Sequence, residues 1–203
     1  SDDGDGSFDN PFRTIQKGID SASDGDTVFV SSGTYVENIN YNGKNIAIIG
    51  DNRENTIIEG NQCCDIVYMD NNDSTSVLNN FTITNGADGG SGIKINFGSP
   101  KIINVNITNT YHPITANETS AKIENVKIFN NSSKTQFYDC RVIIDNLEMK
   151  NNSEGISFTL GGGYSAINNS TFINNPTSAV VFVSECTVEL NNCTIAGNGL
   201  PDV

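Results

Sequence analysis

The residues best placed to do chemistry in this chain are carboxylates. Glu124 and Asp145 each immediately precede an asparagine, Asn125 and Asn146, in a motif that recurs 21 residues on. If one recurrence is one turn of a solenoid, the two carboxylates stack about 4.8 Å apart. Like charges at that separation repel unless a cation or a shared proton relieves them, which makes the pair a candidate calcium site. Glu148 projects from the same neighbourhood, Lys127 is spaced to neutralise it, and Arg141 is the nearest plausible base. The plainer reading is a solvated edge carrying a Lys–Glu pair.

A second acidic group opens the chain. Asp3, Asp5, Gly6, Ser7 and Asp9 fall at the spacings of a calcium-binding EF loop. The first ligand position would then be Ser1 and the bidentate glutamate position Phe12, so the match is partial. An acidic turn ahead of a helix accounts for the same residues. His112 is the single histidine and precedes Pro113 in what reads as a surface loop. No serine or cysteine is tied to it by spacing, so a hydrolase triad is unsupported. Tyr111 and His112 together are candidates for lining a sugar-binding groove.

Five cysteines (Cys63, Cys64, Cys140, Cys186, Cys193) include no Cys-x-x-Cys pair, which argues against zinc. All five are expected as free thiols, Cys193 at a core position.

Internal repeats decide what positions these residues. The segments beginning at Asn80, Asn104, Asn125, Asn146, Asn169 and Asn192 share one alternating pattern, with leading asparagines 24, 21, 21, 23 and 23 positions apart. Segments at Thr56 and Thr27 extend the series backwards, giving about eight turns. Alternation means strand. Phe81, Val105, Val126, Leu147, Ser170 and Cys193 take one inward position, and Ile83, Ile107, Ile128, Met149, Phe172 and Ile195 the next. Thr82, Asn106, Lys127 and Glu148 should face solvent. Two further short apolar segments lie between motifs, so each turn carries three strands. The pattern is that of an all-β fold, a parallel β-helix. The flanking asparagines are expected at turns of left-handed backbone, their amides bonded in a ladder along the axis. The Asn-x-Ser/Thr matches follow from the abundance of asparagine. The outward Thr positions are interrupted by charge, which removes a regular ice-binding face.

An open solenoid end invites edge pairing. Asn10 as N-cap, Pro11 at the first helical position, and Phe12, Ile15, Ile19 and Ala22 at helical spacing predict a capping helix over residues 11–22. No such plug follows Asn198, and the parent chain is expected to continue. The organisation expected is one domain over residues 1–203, a cap in 1–25 and coils in 26–203, within a longer protein.

The formal net charge of −13 argues against nucleic acid, which needs a basic footprint. No apolar run approaches the length of a membrane-spanning helix.

The N-terminal run from Gly4 to Gln16, the run from Gly25 to Asn38, Asn42-Gly43-Lys44-Asn45-Ile46 and Thr56 to Asn61 resemble the opening of secreted right-handed parallel β-helix repeat proteins of the pectin-lyase-like superfamily. The resemblance covers essentially the whole chain. It implies a right-handed coil and a secreted or cell-surface location. It does not specify activity: some relatives act on acidic polysaccharides, and many have no assigned chemistry. Two functions follow as expectations. One is a non-catalytic module contacting a polysaccharide or cell-surface glycan. The other is a calcium-dependent polysaccharide lyase or related carbohydrate-active enzyme. Few basic residues near the acidic pair favour the first.

Overall fold

Short alternating runs of Ile and Val make the strands, and asparagines in left-handed backbone end them. The structure is a computed structural model that describes residues 4–160, 163–177 and 181–199. One helix, α1 (Ile15–Ser21), precedes a first turn made of β1 (Thr27–Val30), β2 (Gly33–Val36) and β3 (Ile39–Asn40). Each strand pairs in parallel with its equivalent one turn on. β1 begins a stack that passes through Ala47–Gly50 and the first half of Val77–Thr84 and reaches Thr187–Asn191. The stack from β2 reaches Thr194–Ala196, and that from β3 is seven-stranded and ends at Val181–Ser184. The result is a right-handed parallel β-helix of about seven turns.

The inward stack is as expected at Ile83, Ile107, Ile128, Met149 and Phe172, all buried. Ile195 is the exception. It is 52% exposed, because it lies on the outermost described strand of its stack. The register also holds on the outward side at Thr82, Lys127 and Glu148, which are partly exposed. Asn106 departs from it at 4% exposure. The 51–55 loop folds over it: Thr82 Oγ1 donates to the Arg53 carbonyl (2.7 Å), Arg53 Nη1 donates to the Asn125 carbonyl (3.2 Å), and Asn106 Nδ2 lies 3.3 Å from both Glu54 oxygens.

Asn80, Asn104, Asn125, Asn146, Asn169 and Asn192 have φ between 51° and 66°, the left-handed region that asparagine tolerates. Their amides form the expected ladder in part, since Asn104 Nδ2 donates to Asn79 and Asn169 Nδ2 to Asp145 in place of the preceding repeat asparagine. Asn125 Nδ2 donates to Asn104 Oδ1, Asn146 to Asn125 (3.2 Å) and Asn192 to Asn169 (2.8 Å). A second ladder is buried. Asn131 Nδ2 donates to Asn152 Oδ1 (2.8 Å), Asn152 to Asn175 (3.1 Å) and Asn175 to Asn198 (2.9 Å). Backbone polar groups turned into the core thereby keep partners.

The helix is shorter than the spacing suggests. It starts at Ile15 with Thr14 as N-cap, not at Pro11 after Asn10, because Thr14 Oγ1 accepts from Lys17 N (3.2 Å) and a carboxylate from the first turn takes the amides of Ile15 and Gln16. The cysteines also correct the expectation of five thiols. Cys63 and Cys64 form a disulfide in the turn before Val67–Asp70, while Cys140, Cys186 and Cys193 are free. Cys193 is only partly buried.

Candidate functional site

The seven-stranded stack turns a polar and aromatic face outward, covered over at Gln136 and Ser157, which are buried. Alternate residues of a strand point to opposite sides, and parallel register aligns them into columns across turns. One column runs Tyr68, Lys94, Thr115, Gln136, Ser157; its neighbour runs Asp70, Asn96, Asn117, Tyr138, Thr159. Beneath them, Phe137 and Phe158 stack inward at 5.0 Å between centroids, giving the face a rigid floor. Amides and hydroxyls tie the columns together: Asn117 Nδ2 donates to Asn96 Oδ1 (2.8 Å) and Asn96 Nδ2 to Tyr68 Oη (2.9 Å).

Tyr111 and His112 join this face. His112 is the first residue of the strand His112–Asn117, not a loop residue, and is half-buried. Its Nδ1 lies 3.1 Å from the Lys134 carbonyl, and Gln136 Nε2 lies 2.7 Å from its Nδ1 and 2.9 Å from its Nε2. Tyr138 Oη donates to Gln136 Oε1. With Nδ1–H donating to Lys134, Nε2 accepts from Gln136; with Gln136 donating to Nδ1, Nε2 carries the proton and is left open. Tyr111 stands edge-on to the imidazole, 4.7 Å between centroids at 83°, with its ring exposed. Lys94 is 3.7 Å from Asp65, which also accepts from the Ser91 amide (2.8 Å). An exposed aromatic ring beside fixed amides and hydroxyls can pack on an apolar sugar face and bond its hydroxyls. Tyr68, Gln136 and Tyr138 were not singled out from the sequence. Gln136 lies 24 positions after His112, within the range of the repeat spacings, which is the signal that could have found it.

Glu124 and Asp145 are register partners on adjacent strands, as the repeat requires. Lys122 Nζ lies 2.5 Å from Glu124, and Asn169 Nδ2 donates to Asp145 (2.8 Å). Arg141 forms no hydrogen bond or ion pair with either carboxylate and lies against Gly163. Lys127 is 3.5 Å and Lys150 2.7 Å from Glu148; the Lys150 hydrogen bond, helped by Lys127, holds the Glu148 carboxyl below its usual range. At the N-terminus, the Ser7 hydroxyl and then the Ser7 amide (2.9 Å) lower the pKa of Asp5, and Asp9 is exposed. Asp3 lies outside the described residues. Among the described residues no three acidic, histidine or cysteine side chains converge on a point that would hold a metal. Two carboxylates, one already answered by an ammonium, are fewer than the six to eight oxygens calcium takes.

The sequence model of the family described as the right handed beta helix region matches residues 65–200. The chain belongs to that family. This β-helix is similar in structure to the pectin methylesterase from Aspergillus niger in deglycosylated form, with 14% identity and a TM-score of 0.65, over 94% of this chain and 84% of that one. Pectin methylesterase from carrot gives 15% and 0.62, over 95% and 82%. A pectin methylesterase in complex with a hexasaccharide gives 11% and 0.63, over 88% and 79%. At these identities the likeness is one of fold. A comparison with curated protein sequences finds no match.

Proposed function

We propose that this β-helix is a non-catalytic module of a larger secreted or surface protein, and that the Tyr111–His112 face contacts a polysaccharide or cell-surface glycan. The observation that carries the reading is the fixed imidazole. The Gln136 amide lies against both His112 nitrogens and the Lys134 carbonyl against Nδ1, so the ring is held between them and backs Tyr111 edge-on. A structural relative solved with a hexasaccharide supports the ligand class. The Cys63–Cys64 disulfide suits an oxidising exterior. Among the described residues no helix is long and apolar enough to cross a membrane.

The test is a glycan array with the chain and its Tyr111→Ala and Gln136→Ala variants. Binding to a defined glycan class, lost in Tyr111→Ala, is the expected result. Equal signals from all three would reject the site.

A second reading, a carbohydrate-active enzyme, draws on the pectin methylesterase neighbours and on the Glu124–Asp145 register pair. Those two residues would hold calcium only if a substrate supplied the remaining oxygens. Unsaturated product from uronic-acid polymers with calcium, or methanol from methylated pectin, would establish activity. Loss of the unsaturated product in Glu124→Gln would tie it to that pair.

A further inference from the structure

Two of the most exposed aromatic side chains lie at the N-terminal end, outside the seven-stranded stack: Phe8 is 99% exposed and Phe29 79%. They flank a cleft of about 890 Å³ between the 5–12 segment, α1 and β1. Every residue from 26 to 31 lines it. Because alternate residues of a strand face opposite sides, a cavity meeting both parities runs along the strand's edge. That edge is open. β1 pairs with Ala47–Gly50 on one side and with no described strand on the other. The helix in the opposite wall, α1, packs so closely that a Cβ on Gly18 would come 2.8 Å from Val28 Cγ1, yet a helix bonds its backbone internally and cannot pair a strand edge.

The polar rim is negative. Asp5, Asp26 and Asp51 line the cleft and accept from the Ser7 amide, the Ser23 amide and Ser32 Oγ. None forms a salt bridge with a described residue. An apolar lip, an unpaired strand edge and uncompensated carboxylates call for three matching features in one occupant.

We propose that this cleft accepts an extended segment of a partner protein, alternating apolar and basic residues, as an added strand on β1. Four residues, the length of β1, span about 13 Å when extended. A glycan would use the aromatic lip and leave the amide edge unpaired. A second copy of this chain would bring its own charge of −13 against the three carboxylates.

The test uses the whole chain and a fluorescein-labelled peptide of alternating Lys and Val, followed by anisotropy. Saturable binding is expected, weakened about tenfold or more by Phe29→Ser. It should be weakened similarly when Glu replaces Lys, and be unchanged in Tyr111→Ala. Only one parity of amides in an added strand faces β1. N-methylation of one alternate set should therefore abolish binding, and methylation of the other should spare it. Phe29 is so exposed that the unfolding midpoint of Phe29→Ser should match the parent, which separates a lost site from a lost fold. No binding at about 1 mM peptide, equal binding of both N-methylated peptides, or full binding by Phe29→Ser would overturn the proposal. A concentration-dependent dimer abolished by Phe29→Ser would assign the cleft to a second copy and overturn it too.

Discussion

Glu37 and Lys44 grip opposite ends of the same helix. The Glu37 carboxylate accepts from the amides of Ile15 (2.8 Å) and Gln16 (3.0 Å), while Lys44 Nζ donates to the carbonyls of Ile19, Asp20 and Ala22 at 2.8, 2.9 and 2.8 Å. The helix has no acidic residue in its first turn and no basic one in its last. Its dipole is therefore answered by charges from the first turn of the solenoid. A seven-residue helix is marginal alone, and this clamp fixes it over the core, with Ile15 and Ile19 buried.

Lys44→Met should remove three charge-assisted bonds and lower stability by roughly 2 kcal/mol. Glu37→Gln keeps one acceptor and should cost about 1 kcal/mol. Urea denaturation of both variants checks this. A Lys44→Met loss within about 0.5 kcal/mol of zero would show that apolar packing alone holds the cap.

The two asparagine ladders should respond differently. Asn152 is buried; its Oδ1 accepts from the Asn131 amide (3.1 Å) and Asn131 Nδ2 (2.8 Å), and its Nδ2 donates to the Ile128 carbonyl (3.0 Å). Asn152→Leu orphans these groups in the core and should cost about 3 kcal/mol or prevent folding. Asn125, in the outer ladder, is at φ 53°. There Asn125→Gly should cost less than Asn125→Ala, by about 1 kcal/mol, since only the alanine resists left-handed backbone. Equal losses for Gly and Ala would assign Asn125's role to its amide and not to its backbone.

Much of this fold was legible because one physical constraint repeats. Alternation set the faces, the 21- to 24-residue period set the turns, and together they placed Glu124 beside Asp145. What escaped was non-periodic. Asn106 is covered by a loop that breaks the repeat, and the helix begins where Glu37, 22 residues on from Ile15, supplies a carboxylate. Cys63 and Cys64 pair across the shortest possible separation, against the expectation of five free thiols. The Gln136–His112 contact is legible only across turns: Gln136 lies 24 positions after His112, and neither residue type signals it alone.

Acid should weaken the Lys127–Glu148–Lys150 cluster. Glu148 has its pKa lowered from 4.5, chiefly by the Lys150 hydrogen bond; burial opposes this next, and the charges of Lys150 and Lys127 lower it further. A depressed carboxyl stabilises the fold above its unfolded value, and that contribution fades as pH falls from about 4.5 through the lowered value. The pair is partly exposed, so the effect should stay below about 1 kcal/mol. Urea midpoints of the parent and Glu148→Gln at neutral pH and at pH near 3 check the sign, the gap between them narrowing in acid. A gap that widens would mean that Glu148 is unfavourable as an anion.

The cysteines offer a count and a pH dependence together. Cys140 is buried, and its Sγ donates to the Tyr138 carbonyl (3.1 Å); burial pushes its thiol up from 9.0 to about 11. Below the unfolded value the thiol is neutral in both states and costs nothing. Between about 9 and 11 the unfolded chain loses this proton while the folded one keeps it, so stability falls as pH rises through that window. Replacing Cys140 with Ala should flatten this part of the alkaline profile. With a thiol reagent near pH 8, Cys186 and Cys193, both partly exposed, should react in the folded protein, and Cys140 only as fast as the chain opens. In denaturant without reductant the titre should be three thiols, rising to five after reduction as the Cys63–Cys64 bond is cleaved. Five thiols in unreduced denaturant would remove that disulfide, and with it the support it lends to an oxidising location. Rapid labelling of Cys140 in the folded chain would contradict its burial in the turn after the strand Thr135–Tyr138.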